Sequence, residues 1–318
     1  GNVSRGGGIY LYNASPTIKS LNISNNSSNI YGGGVYMEVS KPNIYNSTIS
    51  YNESASNGGG GSGLSIINSA PTVKSTKIIY NTGTNGQGNG ISIFGLMNPQ
   101  DSVYFDNVEV SFNSSPYGVG GGISASTTKF VIENSTINNN SSQYSGISQG
   151  GGFYISNLNQ DSPSRIESCN ISNNFSGNSG GGVFYSNSGG KNLILKDLII
   201  ENNSSQYGGG ILANTSINIS NSLIKNNSST IRGGGIEFGN PQNNNSSITN
   251  CTFFKNNTDG DGPTFYGKIP STATLEYNNI IGDGSVWWLD EPSSAPNNYW
   301  GDPSGPNHPA SNPNGLGS

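Results

Sequence analysis

GGGVYMEVSKPNIYNSTISYNES, residues Gly32–Ser54, holds every feature that decides the fold. It opens on three glycines. Val35 and Met37 then alternate with Tyr36 and Glu38. Ile44-x-x-Ser47-x-Ile49 follows, and three residues after Ile49 stands Asn52. Alternation with period two is strand periodicity, because successive side chains of an extended chain leave opposite faces.

The same unit recurs along the chain. The Gly-led strand reads GGGIYLY from Gly6, GSGLSII from Gly61, GNGISIF from Gly88 and GGGISAS from Gly120. It continues as GGGFYIS from Gly150, GGGVFYS from Gly180, GGGILAN from Gly208 and GGGIEFG from Gly233, with a degraded GDGPTFY from Gly260. The leading apolar residues, Ile9 through Ile236, are 25 to 32 residues apart. A second column has the form apolar-x-x-small-x-apolar, from Ile18/Leu21/Ile23 through Ile166/Cys169/Ile171 and Ile248/Cys251/Phe253 to Leu275/Asn278/Ile280. A third is an amide three residues later: Asn26, Asn52, Asn81, Asn113, Asn140, Asn174, Asn203, Asn227 and Asn256, then Asp283.

No helical period runs through these columns, so a helical solenoid is excluded. A repeat of roughly 28 residues has room for three short strands and three turns. Stacked coils put each strand beside its equivalent about 4.8 Å away. The expectation is all-β: a right-handed parallel β-helix of about ten rungs, roughly 45–50 Å long. Residues 1–289 form the repeats, and residues 290–318 form a Trp/Pro-rich cap and an irregular tail. The Asn column is expected to occupy a left-handed corner and to bond from rung to rung as a structural ladder. The Gly runs serve another corner. A phosphate-binding loop needs a helix after the glycines, and none follows here.

Composition agrees with a thin rod. Hydrophobic residues make up 31% of the chain and charged residues 10%, with 47 glycines and a net charge of -5. A chain this poor in basic residues suggests no nucleic-acid partner. No apolar stretch is long enough for a membrane-spanning helix. The sequence opens at GNVSRGGGIY, already inside a repeat, and is expected to continue upstream in a longer protein. Cys169 and Cys251 share one inward column three rungs apart, roughly 14 Å. A disulfide cannot span that, so two buried free thiols are expected.

The GGG-apolar strand paired with [Ile/Phe]-x-x-Asn resembles the repeats of polymorphic outer-membrane proteins. More broadly it resembles the pectin-lyase-like β-helix superfamily, and NNYWGDPSGP from Asn297 is similar to the closing segment of many β-helix surface proteins. That resemblance implies display at the cell surface or outside the cell, with adhesion or carbohydrate-active chemistry.

Several groups are candidates for chemistry. Asn22, Asn46, Asn134, Asn170, Asn214 and Asn250 are candidate N-glycosylation sites, each in Asn-x-Ser/Thr. Asn22 and Asn170 should face outward, whereas the ladder positions should be committed to their corner. Trp287, Trp288, Tyr299 and Trp300 would cover the last rung. His308 is the single histidine and lies in the Pro-rich tail. The column Tyr10, Tyr36, Ser65, Ser92, Ser124, Tyr154, Phe184 should face outward and stack across rungs or on sugars. Glu109, Glu167 and Asp197 stand near the second column on separate rungs, and Asp259-Gly-Asp261 offers calcium-type oxygens. Longer loops at Met97–Ser102, Asn157–Ser164 and Gly239–Ser246 project from one corner and suit recognition. The reading is a non-catalytic, adhesin-like structural protein binding a glycan or surface-protein ligand, with no cofactor. Its alternatives are a carbohydrate-active enzyme or sugar-binding module, and a filament subunit that self-associates end to end.

Overall fold

The computed structural model describes residues 4–96, 98–144, 146, 148–158, 163–187, 193–239, 246–267, 273–281, 295–304 and 314. Asp161, Asp283, Trp287, Trp288, His308 and parts of the three longer loops lie outside them. The chain forms a parallel β-solenoid, and its described elements are all strands. Three sheets hold ten strands each and a fourth holds nine. The first sheet runs from Ile9–Tyr12 to Phe265–Gly267 and the second from Thr17–Lys19 to Thr274–Glu276. The third runs from Asn22–Ser24 to Asn279–Ile281, and the fourth from Ser27–Ser28 to Asn257–Thr258.

Register is carried by single columns of side chains. Ile23 pairs with Ile49, Ile49 with Ile78 and Ile78 with Val110. The line continues through Ile137, Ile171, Ile200, Ile224 and Phe253 to Ile280. These residues are buried and belong to one continuous core with the inward residues of the first two sheets. A one-residue slip would expose a whole strand's apolar set, so the column also fixes the pairing.

The fourth sheet was not expected. Its strands are as short as two residues, and their inward column is hydroxylic: Ser28, Ser54, Ser115, Ser142, Ser176, Ser205 and Ser229 are all buried. Three of these hydroxyls donate to backbone carbonyls, Ser142 to Gly118, Ser176 to Ser148 and Ser205 to Tyr207. A column without apolar residues gives no hydrophobic period, which is why the sequence reading counted three strands per rung.

Corners close each rung with positive φ. The Gly corner uses the first glycine of each run from Gly6 to Gly233, for example Gly32 at φ 62°, and Gly262 in the last run. The third glycine is needed for space: a Cβ on Gly34 would lie 2.7 Å from the Gly63 carbonyl oxygen and 2.8 Å from Asn52 Nδ2. At the corner between second and third sheets, Asn46, Asn107, Asn134, Asn221 and Asn250 are left-handed, as are Ser20, Ser75 and Ser168. Where the next residue inward is a serine or threonine, its hydroxyl donates back to the carbonyl two positions earlier, as Ser47 does to Tyr45 at 2.8 Å and Ser135 does to Glu133 at 2.6 Å. Cys169 and Cys251 occupy this hydroxyl column and make the same contact, with Glu167 and Thr249. Both thiols are free and buried, and burial pushes them up to about 12 and about 11.

Candidate functional site

The asparagine ladder is an internal scaffold with its hydrogen bonds satisfied along the rod. Asn52 Nδ2 donates backwards to the Ile23 carbonyl at 2.9 Å and forwards to Asn81 Oδ1 at 3.0 Å. Asn81 Oδ1 also accepts the Asn52 backbone N–H at 3.0 Å. The pattern repeats through Asn113, Asn140, Asn174, Asn203 and Asn227 to Asn256. Asn26 starts it on the first rung, donating to Asn52 Oδ1.

One expectation fails here: the ladder amides are not the left-handed residues. That conformation falls one position earlier, on Asn25, Tyr51, Tyr80, Phe112, Asn139, Asn173, Asn202, Asn226 and Lys255, with φ between 50° and 57°. The preceding residue turns the chain, so the ladder side chain can point inward and bond along the axis. At the last rungs Asn278 starts a second amide pair. It donates to the Ile248 carbonyl at 2.9 Å and to Asn298 Oδ1 at 3.0 Å. Tyr299 bridges to Asn279, and Trp300 is buried in the core.

The fold explains the density of sequons. Ladder asparagines point inward, and so do the serines or threonines two residues later. Eight of the nine ladder positions therefore spell Asn-x-Ser/Thr for structural reasons, with Asn81 the exception. Asn22, Asn46, Asn134 and Asn250 are exposed, and Asn134 Nδ2 donates to Asp106 at 3.0 Å. Asn170 and Asn214 are half-buried. The sequence reading missed Asn25, Asn202 and Asn226, which are exposed left-handed residues that also open sequons. Their ladder neighbours hid them.

The outer face of the first sheet is where the molecule is least regular. Its outward column reads Tyr10, Tyr36, Ser65, Ser92, Ser124, Tyr154, Phe184, Leu212, Glu237, Tyr266. Tyr10 stacks on Tyr36 at 5.4 Å and Tyr154 on Phe184 at 5.5 Å. The column is not a freely exposed stripe: Tyr36, Ser65, Ser92, Ser124, Phe184 and Glu237 are buried. Arg5, Tyr31 and Arg232, each just before a Gly corner, lie against it. Arg5 lies over the Tyr36 ring at 5.5 Å and Arg232 over Tyr266 at 4.8 Å.

Where the column changes from Tyr36 to Ser65 and Ser92, the small side chains leave a depression. Its volume is about 350 Å³, and its walls include Arg5, Tyr36, Glu38, Gln87 and Phe94 over a Ser92 floor. Glu38 accepts from Tyr36 Oη at 2.9 Å and pairs with Arg5 at 3.4 Å. Burial and the Glu38 hydrogen bond raise the Tyr36 phenol above its usual range. The Phe94 ring is half exposed and lies between Ile67 and Ser126 in its own column. Ser65 Oγ is buried without a partner. The site thus combines an open aromatic ring, an amide, an ion pair and hydroxyls.

The acidic residues gather on the second and third sheets. Asp106, Glu133 and Glu167 are adjacent in one outward column. Lys74 pairs with Asp106 at 3.4 Å, Lys196 with Glu167 at 2.8 Å, and Tyr104 Oη donates to Glu133. That hydrogen bond pushes the Tyr104 phenol up to about 12. Glu109 lies on the third sheet, past the corner from this column, and pairs with Lys77 at 2.8 Å, which holds its carboxyl low. Asp197 pairs with Lys196 at 3.3 Å. Asp259 and Asp261 donate backbone N–H groups to Ser229 and Ile231, and no described group of three His, Cys, Asp or Glu is placed to hold a metal. No described helix is long and apolar enough to cross a membrane. Compared with family profiles, curated proteins and solved structures, the chain matches none.

Proposed function

We propose that the chain is a pectin-lyase-like structural rod of the cell surface or extracellular space. It binds an extended glycan without cleaving it, along the outer face of the first sheet. The depression over Ser92 carries this reading. Sugar sites pair an aromatic face, for the C–H side of a ring, with a few convergent polar groups. Phe94 supplies the first, and Gln87, Glu38 and Arg5 the second. The volume of about 350 Å³ suits one or two sugar units.

Screening on a glycan array, followed by titration of the best ligand, tests the proposal. Ser92→Trp should fill the depression and abolish binding. Phe94→Ala should weaken it about tenfold, the worth of one aromatic contact. Unchanged binding in both variants would remove this face from the proposal.

A second reading rests on the Asp106, Glu133, Glu167 column. Carboxylates on neighbouring strands stand about 5 Å apart, the separation used by retaining glycosidases. Turnover of a polysaccharide that Glu133→Gln abolishes would replace the binding reading with an enzymatic one.

A further inference from the structure

A second depression lies on the fourth sheet. Its volume is about 520 Å³. Phe175, Ser204, Ser228 and Asn257 run in register along it, on successive strands. That column covers three rung steps, roughly 14 Å. Beside it stand Gln143, Gln206, Thr230 and Asp259, and Gly177 leaves a gap next to the ring.

Phe175 differs from the stacked rings of the neighbouring corner in one respect that matters. Tyr51, Tyr80 and Phe112 stack on one another at 5.0 and 4.8 Å, nearly parallel. Tyr80 has a ring against each face, and Tyr51 and Phe112 each give one face to it. Phe175 is 43% exposed, and its neighbours in register are Ser141 and Ser204. A serine is too small to cover a phenyl face. An aromatic ring with an open face, set at the end of a row of hydroxyls and amides, is complementary to a chain of pyranose rings. No described lining residue is cationic, and Asp259 makes no ion pair among the described residues. The local charge therefore disfavours uronates and sulfated sugars.

We propose that this depression is a glycan-binding site for a neutral oligosaccharide, with Phe175 as the stacking platform and Gln206, Asn257 and Asp259 hydrogen-bonding sugar hydroxyls. It is separate from the Ser92 depression and stands or falls independently of it.

Titration calorimetry with neutral tetrasaccharides of glucose, mannose and N-acetylglucosamine, against tetragalacturonate, tests the proposal. At least one neutral tetrasaccharide should bind the full chain, and tetragalacturonate should not bind at this site. In a Ser92→Trp background, which closes the first depression, adding Phe175→Ala should weaken neutral binding about tenfold. Phe175 is exposed, so circular dichroism of Phe175→Ala should match the parent. The inference is overturned if no neutral tetrasaccharide binds the Ser92→Trp chain, or if adding Phe175→Ala to that chain leaves its binding as it was.

Discussion

The ladder corner and the outer face of the first sheet share the same strand spacing and obey opposite rules. From Asn26 to Asn256 the inward position holds asparagine on nine successive rungs. Over the same rungs the outward column changes from tyrosine to serine, back to aromatic rings, and then to Leu212 and Glu237. The difference follows from what each side chain bonds to. A ladder amide is both donor and acceptor to its equivalents above and below, so changing one rung disables the next. An outward side chain has no such obligation, and its neighbours can be chosen for shape. The interior repeats because physics requires it, and the outer face varies because something other than folding is free to act there.

The largest effect that could break this contrast is in mid-ladder. Asn113→Ala removes the acceptor for the Asn81 backbone N–H and for Asn81 Nδ2, and the donor to the Ile78 carbonyl and to Asn140 Oδ1, which keeps the Asn113 backbone N–H. Two buried donors and an acceptor are left unmade, a cost of about 3–5 kcal/mol in total. Ser92→Ala on the outer face should stay within roughly 0.5 kcal/mol. Urea denaturation of the two variants measures both. Equal losses would mean that the outer column is as constrained as the ladder.

The same contrast decides what could be read from the residues alone. Ile23, Ile49 and Ile78 gave the architecture because apolar residues must recur where rungs stack. The ladder was visible for the same reason, but the left-handed position was assigned one residue late. Asn-Asn pairs such as Asn25-Asn26 do not say which amide turns the chain and which points inward. Tyr51-Asn52 and Phe112-Asn113 show that the turning position does not need asparagine. The Ser28 to Ser229 column escaped notice because polar inward residues break no pattern. The Ser92 depression was invisible in principle. Arg5, Glu38 and Phe94 are far apart in sequence, and only the rung register brings them around one serine.

Glu237 tests whether the outer face tolerates what the interior would not. Its side chain is 2% exposed, and Oε2 has no hydrogen-bond partner. Arg232 Nε reaches Oε1 at 2.9 Å and is itself flanked by Tyr207 and Tyr266. Burial raises the carboxyl above its usual range, and Arg232 only partly opposes this. The folded state therefore holds the proton more tightly than the unfolded chain does. This group favours folding most below the unfolded value, and that contribution is lost as pH rises through the folded one. Glu237→Gln removes the loss. The melting temperature of the variant, relative to the parent, should rise between acid and neutral pH. Parallel pH curves would show that Arg232 neutralises Glu237 fully.

The smallest effect concerns the corner where interior and exterior meet. Tyr80 is left-handed at φ 56° and stacks between Tyr51 and Phe112. A bulky residue in that conformation costs roughly 1–2 kcal/mol, which asparagine would largely avoid. Each ring contact returns roughly 0.5–1.5 kcal/mol. The two terms nearly cancel, so Tyr80→Asn should change stability by less than about 1 kcal/mol. Tyr80→Ala loses the stacking without relieving the backbone and should cost more than Tyr80→Asn. If instead Tyr80→Asn stabilised the rod clearly, the three rings would be a burden on folding, and their exposed edges would need a purpose outside it.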